Sequence, residues 1–430
     1  MTASPRPPRL VAETREVDTV DDLISYTSPS EPLAWLRRGD GIVGVGRPVA
    51  GYAPGLRLSA DAPSHAESWR RLCARAEIDD EVGLPGTGLV AFGAFPFDAR
   101  SVSSSALVVP SLVVGRRDGR TWVTRIRNLD AVAPGEAPAF EPQPYGPYWS
   151  ATLGPGALDP AGYQAAVRAG LDAIAAGEVG KVVLARDLVG TVPADADLRR
   201  LLRALSTGYP DTWTFAVDGL IGASPETLVT VAGGAVTARV LAGTIGRGAD
   251  STADAEASIA LAASAKDLDE HRYAVQSVRD VLEPHTTSLR ADATPFTLEL
   301  PNLWHLATDI AGELDDGASA LDLVAALHPT AAVAGTPTDA AIELIRRIEP
   351  FDRGRYAGPV GWVDAHGDGE WAIALRCAQI GAPLLRSFSA YSDTIPVVAH
   401  AGAGIVAGSE PEAELLETRV KFRPIVDALA

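Results

Sequence analysis

Two stretches of the sequence gather acidic side chains at helical spacing, an arrangement a divalent cation could use. In Ser264-Ala-Lys-Asp-Leu-Asp-Glu-His271, Asp267 and Glu270 stand three apart and share a face. Between 409 and 421, Glu410, Glu414, Glu417 and Lys421 fall at i, i+4, i+7 and i+11, a single stripe. Two readings are open. Both stripes can be solvated faces, with pairing to Lys421 adding roughly a few tenths of a kcal/mol. Alternatively, one glutamate from each helix holds Mg²⁺, which takes one or two protein carboxylates and fills its other positions with water and substrate oxygens.

Other residues pose similar choices. Lys181 opens an apolar run, Lys-Val-Val-Leu-Ala-Arg186, where a lysine is either a solvated edge charge or a functional group. Glu226 closes Gly222-Ala-Ser-Pro-Glu226, a turn between apolar segments. Arg376 interrupts Trp371-Ala-Ile-Ala-Leu-Arg-Cys-Ala378. A guanidinium inside so apolar a run needs an anionic partner, because an unpaired buried charge is costly. That partner is either a ligand carboxylate, which fits the fork, or a structural carboxylate. Ala401-Gly-Ala-Gly404 and Gly243-Thr244 leave backbone amides open to an anion, or simply make tight turns. His271 follows Glu270 and reads as a helix-surface residue or one behind a metal ligand, since Mg²⁺ prefers oxygen to imidazole, and His305, in Asn302-Leu-Trp-His-Leu306, is either a pocket or a core histidine.

The elements that must position these groups are legible in the periodicity. Residues 159–177 read as a helix with Tyr163, Val167, Leu171 and Ile174 on one stripe. A strand is predicted over 181–192, and antiparallel strands over 212–217, 227–231 and 235–241, joined at Asp218-Gly219 and Gly233-Gly234. A helix follows at 266–282, then a hairpin of 357–363 with 370–380 across His366 to Gly369. The chain closes with a strand ending at Ile405-Val406 and a helix from Glu410, where Ser409 and Glu412 have capping-box spacing. In the first third, apolar runs at 88–97 and 106–115 turn at Asp118-Gly119 into 122–129. Residues 131–158 are rich in Pro and Gly and read as a long connection. Hairpins interspersed with helices give an α+β fold, a large domain of antiparallel sheets flanked by helices.

The 430 residues carry a formal net charge of −18, with a pI near 4.8. So acidic a surface disfavours nucleic acid and membrane surfaces as partners. An anionic ligand would need positive charge gathered locally. Two distant cysteines, Cys73 and Cys377, suggest reduced thiols and a cytoplasmic protein. No run is apolar enough to span a bilayer, and the first ten residues lack a signal-peptide core. Residues 1–15 read as a loose tail.

Eight segments then occur in order: KVVLAR at 181–186, GASPE at 222–226, LAGT at 241–244, KDLDEH at 266–271, LHPTAAVAGTP at 327–337, YAGPVGW at 356–362, AGAGIV at 401–406 and ETRVK at 417–421. Together they resemble the chorismate-binding enzyme family, which includes isochorismate synthase, salicylate synthase and the large subunits of anthranilate and aminodeoxychorismate synthases. The match runs from about residue 155 to 425. It implies an N-terminal α+β portion over 1–150 and a chorismate-binding catalytic portion over 151–430. It also implies the fold of anthranilate synthase component I.

What the resemblance implies about the site is specific. Mg²⁺ would sit on Glu270 and Glu417, with Glu414 and Asp267 behind them. Arg376 and Tyr356 would meet the enolpyruvyl carboxylate. Gly243, Thr244, His305, Gly402, Gly404 and Lys421 would surround the other polar groups of chorismate. Lys181 matches the base that activates water, and Ala242 stands where amine-transferring relatives carry a lysine. Both point to water as nucleophile and to isochorismate as product, with Glu226 protonating the departing hydroxyl. Ala331 departs from the proline many relatives carry. Salicylate synthase, which goes on to eliminate pyruvate, is the alternative, and a non-catalytic chorismate-binding relative is a second. No glutaminase subunit is expected, and the family's water-using members suggest a monomer. Isochorismate feeds menaquinone and siderophore biosynthesis alike. The mechanism requires Lys181 neutral and Glu226 protonated, states that burial of each group would favour.

Overall fold

Alternation of apolar and turn residues builds two large sheets, whose ladders are antiparallel apart from one pairing at an edge. The computed structural model describes residues 7–46, 50–51, 64–131, 138–301, 303–381 and 393–430. Among them, the first sheet has 13 strands and the second 10. Strands from both sides of residue 150 enter each sheet. Lys181–Pro193 pairs along its length with Thr394–Ile405, which continues through Cys377–Ile380 to Leu220–Ser224 and Trp213–Val217. In the second sheet, Leu303–Glu313 pairs with Ala235–Gly246, followed by Thr227–Ala232, Gly369–Ile373, Pro359–Asp364 and Val90–Ala94.

One apolar cluster unites the two sheets, with Trp35 and Phe215 from the first and Phe92, Trp362 and Trp371 from the second. A second cluster lies where the helices Arg199–Gly208 and Pro411–Leu429 cover the first sheet, bringing Leu201, Leu202, Phe422 and Ile425 against Ala216, Ile221 and Ala399. The buried aromatics supply much of the area removed from water. Residues 138–153 carry no helix or strand. They are held in part by Arg199, whose guanidinium donates to the carbonyls of Gln143 (3.2 Å) and Pro144 (2.8 Å).

Several expected elements are present. The helix Pro160–Ala175 starts at Asp159, whose side chain accepts from Gly162 N at 2.7 Å. The helix Ala265–Leu282 and the hairpin across Gly233-Gly234 are also found. Four expectations need correction. The turn at Asp218-Gly219 does not lead to 227–231. It leads into Leu220–Ser224, still in the first sheet, and only then does the chain cross to Thr227–Ala232 in the second. The hairpin partner at 370–380 likewise divides, with Gly369–Ile373 in the second sheet and Cys377–Ile380 in the first. The tail ends earlier than 15, because Leu10–Val17 is a strand held by Arg120–Asn128 and, in parallel, by Glu77–Asp80. Residues 1–6 lie outside the described residues. The capping box at Ser409 and Glu412 does not form: Glu410 is the N-cap, and Ser409 Oγ accepts from Val406 N. A helix not foreseen, Ser251–Ala263, precedes Ala265–Leu282, and Ser264 ends one and caps the other.

The two crossings lie side by side. Pro225 and Glu226 form the first, and Ala374 to Arg376 the second. Ser224 Oγ donates to Ile373 O (2.6 Å), Ile373 N to Glu226 O (3.1 Å) and Ala223 N to Arg376 O (3.1 Å). Arg376 adopts a left-handed backbone, φ +50°, which few residues with a Cβ accept without support.

Nearby, Arg353 and Glu349 form a buried pair at 2.6 Å. Arg353 also donates to the carbonyls of Val333 (3.0 Å) and Val183 (2.7 Å), and Glu349 accepts from Ala185 N (2.7 Å). The pair thus fastens the Lys181–Pro193 strand to the segment around Val333. Arg353→Ala would strand a buried carboxylate, so it should destabilise the fold by about 3–5 kcal/mol, read by chemical unfolding.

Candidate functional site

Where the sheets part around the crossings, a cleft of about 670 Å³ opens. It is lined by Glu226, Gly243, Thr244, Glu270, His305, Tyr356, Arg376, Gly402, Gly404 and Lys421, all singled out in the sequence. The site therefore draws on both crossings, both sheets and two helices. Lys181 is not part of the lining. It is fully buried behind it, with Nζ 3.2 Å from Glu270 Oε1 and in no hydrogen bond. Gly404 separates Lys181 from the cleft. A Cβ there would lie 2.2 Å from Glu270 Oε1 and 3.0 Å from Lys181 Cε.

Glu226 is buried, and burial pushes its carboxyl up to about 7, while the Leu241 amide, Lys181, Lys421 and Arg376 pull it down. A carboxyl in such a position keeps its proton near neutrality. Arg376 resolves the choice left by the sequence. Among the described residues it makes no ion pair, and its buried Nη1 has no hydrogen-bond partner. Burial lowers its pKa to about 10. Its Nη2 lies 3.2 Å from His305 Nε2. A guanidinium only donates, so Nε2 accepts and the His305 proton sits on Nδ1. There it faces Thr244 Oγ1 (3.0 Å) and Gly243 O (3.3 Å). Burial, then Arg376 and Lys421, hold His305 well below its ordinary pKa and neutral. Gly243, at φ +80°, is where the ladder register shifts, and this turns Thr244 toward His305.

Of the acidic residues on the two helices, Glu270 lines the cleft, while Asp267, Glu414 and Glu417 lie outside its lining. Glu270 pairs with Lys181, Glu414 with Lys266 (2.9 Å) and Glu417 with Lys421 (2.6 Å), whose Nζ also donates to Gly402 O (3.0 Å). Burial and then Glu417 raise the Glu414 pKa. Asp267 is raised by burial, and Glu270 and Glu417 push in the same direction. The stripes are only in part solvated: Glu410 is exposed, Asp267 and Glu417 are half-buried, and Glu270 and Glu414 are buried. No group of three or more His, Cys, Asp or Glu side chains among the described residues is arranged to hold a metal ion. His271 is buried beside Glu270, with Nδ1 3.2 Å from Ala242 O and Nε2 2.8 Å from Thr308 Oγ1.

Two ionisable lining residues were not anticipated. His400 stacks on Tyr356, ring centroids 5.2 Å apart, and also packs on Phe351. Strand alternation could have found it, since 400, 402 and 404 share a face of Thr394–Ile405. Arg353 gave no sequence signal.

A sequence profile described as "Chorismate binding enzyme" matches residues 6–430. The chain belongs to the chorismate-binding enzyme family. A Mycobacterium tuberculosis protein provisionally named isochorismate synthase MenF is 39% identical over 358 residues, 80% of this chain and 87% of the relative. Isochorismate synthase DhbC of Bacillus subtilis is 42% identical over 283 residues, 63% of this chain and 68% of the relative. The solved structure of MenF, the menaquinone-specific isochorismate synthase of Escherichia coli, superposes with a TM-score of 0.76 at 24% identity, covering 99% of this chain and 96% of that one, which shows a shared fold. In a chorismate-binding enzyme, the free Nη1 of Arg376 is a ready donor for a carboxylate. Gly404→Ala should fold but push Glu270 and Lys181 apart, weakening chorismate binding about tenfold by calorimetry.

Proposed function

We propose that this chorismate-binding enzyme is an isochorismate synthase, adding water at ring C2 of chorismate with loss of the C4 hydroxyl. The observation that carries the reading is a cleft-lining glutamic acid, Glu226, held near pKa 7, together with a buried lysine, Lys181, that sits behind the lining beside Glu270. Acid–base chemistry on one ring needs two groups set apart in this way. The names of the relatives support the same product.

Arg376 would take the enolpyruvyl carboxylate on Nη1, with Tyr356 beside it. Backbone groups at Gly402 and Gly404, with Thr244 and Lys421, would bind the remaining oxygens. Lys181 would take a proton from the water that forms the new C2–O bond. Glu226 would give a proton to the C4 hydroxyl, which leaves as water while the ring double bonds shift.

Magnesium belongs to the same reading. Glu270 and Glu417 both raise the Asp267 pKa and Glu417 raises that of Glu414, so these carboxylates feel one another's charge, and the donors are all oxygen, as Mg²⁺ prefers. Glu270 and Glu417 would hold the ion, with Glu414 and Asp267 behind them. When bound, it would supply positive charge for the ring carboxylate.

Incubation of the purified protein with chorismate and Mg²⁺, followed by NMR, should yield isochorismate alone. Salicylate with pyruvate would replace this reading by the salicylate synthase alternative. Lys181→Ala and Glu226→Gln should each nearly abolish turnover and keep chorismate binding. Full activity in either would remove the role given to that residue. Chelation should abolish turnover and Mg²⁺ restore it.

A further inference from the structure

The antiparallel pair of Ala235–Gly246 and Leu303–Glu313 has a second face, turned away from the cleft. Thr244 stands opposite His305, and Ile245 opposite Trp304. Side chains alternate along a strand, so Thr244 and His305 face the cleft while Trp304 faces outward. The outer face converges on one carboxylate, Asp254, in the first turn of the Ser251–Ala263 helix. Its Oδ1 accepts from Arg247 Nε (2.7 Å), Gly248 N (2.9 Å) and Trp304 Nε1 (3.0 Å), and its Oδ2 from Arg247 Nη2 (2.5 Å). Arg247 lies over the Trp304 ring and donates onward to Leu300 O (3.0 Å). A Cβ on Gly248 would fall 2.2 Å from Asp254 N, so the strand end and the helix touch through their backbones.

We propose that Asp254 is a positioning residue for the grip on the substrate carboxylate: it fixes the end of this strand pair so that His305 keeps its Nε2 lone pair on Arg376. Two routes run from Asp254 to that contact. One passes through Trp304 to its chain neighbour His305. The other passes through Arg247 to Thr244, three residues earlier, which meets His305 Nδ1. Loosening the clamp lets the imidazole turn or exchange its proton between nitrogens, and Arg376 Nη2 then faces a donor rather than an acceptor. Asp254 is remote from the cleft lining, so it acts only through these neighbours. Asparagine has the same shape but only one acceptor oxygen. With that oxygen placed at Oδ1, its NH₂ opposes Arg247 Nη2.

The kinetic consequence rests on the isochorismate synthase reading; the tautomer does not. In protein labelled with ¹⁵N-histidine, His305 of the wild type should show a protonated Nδ1 and a bare Nε2, and Asp254→Asn should show mixed tautomers. In the same variant KM for chorismate should rise about tenfold with kcat within about twofold, since carboxylate binding is weakened in ground and transition states together. In the Asp254→Asn/His305→Ala double variant, KM should be no higher than in His305→Ala alone. Trp304→Phe, which removes one donor, gives a milder form of the same change if Asp254→Asn does not fold. A folded variant with the wild-type tautomer and KM overturns the proposal, as do multiplying effects in the double variant. A wild type that does not convert chorismate overturns the functional reading, and the histidine spectrum still decides the clamp.

Discussion

The site depends on two strand crossings being hydrogen-bonded to each other. At Pro225-Glu226 and at 374–376 the chain leaves one sheet for the other, in opposite directions. Three hydrogen bonds knit the crossings together, through the Ser224 hydroxyl and the amides of Ile373 and Ala223. A crossing cannot be covered by ladder partners on both sides, so it leaves a gap between sheets that are otherwise filled by tryptophans. Glu226 and Arg376 are placed in that gap by topology alone. The left-handed backbone of Arg376 is held there by its carbonyl bond to Ala223, which lets a guanidinium point into a cavity without a carboxylate beside it.

Charge is arranged on the same principle. The chain is strongly acidic overall, yet Lys421 and Arg376 line the cleft, Lys181 lies buried behind it, and Lys266 pairs with Glu414. Each lysine meets one glutamate, while the arginine meets none. These carboxylates are thus balanced internally, and the arginine is left open to an anion. An anionic ligand is admitted by this local asymmetry and not by the surface at large.

Much of this was legible in the sequence, and the failures share a cause. Helices with a clear apolar stripe, such as Pro160–Ala175, and the long strand from Lys181 were readable because their period is local. The cleft residues were found through eight short segments in order, since spacing alone left the acidic stripes and Arg376 ambiguous. The change of sheet was not readable. Residues 220–232 and 369–380 are apolar on both sides of their crossings, and periodicity reports burial without reporting which sheet buries. Leu220–Ser224 was lost for that reason. The helix Ser251–Ala263 was missed because it is alanine-rich and buries only Leu261, leaving no stripe to count. The position of Lys181 behind Gly404 is a packing fact with no local signature.

The pairing of Lys181–Pro193 with Thr394–Ile405 also bears on how the protein comes to be made. Val182 meets Ile405 and Pro193 meets Thr394, partners separated by most of the second half of the chain. During synthesis the strand bearing Lys181 must wait for its ladder until the late strand has left the ribosome. Such long-range closure slows folding and leaves an apolar strand exposed in the meantime. The chemistry is therefore among the last features to assemble, and a nascent chain stalled before residue 394 would hold many of the chemical groups but not the ladder that seats Lys181 behind Gly404.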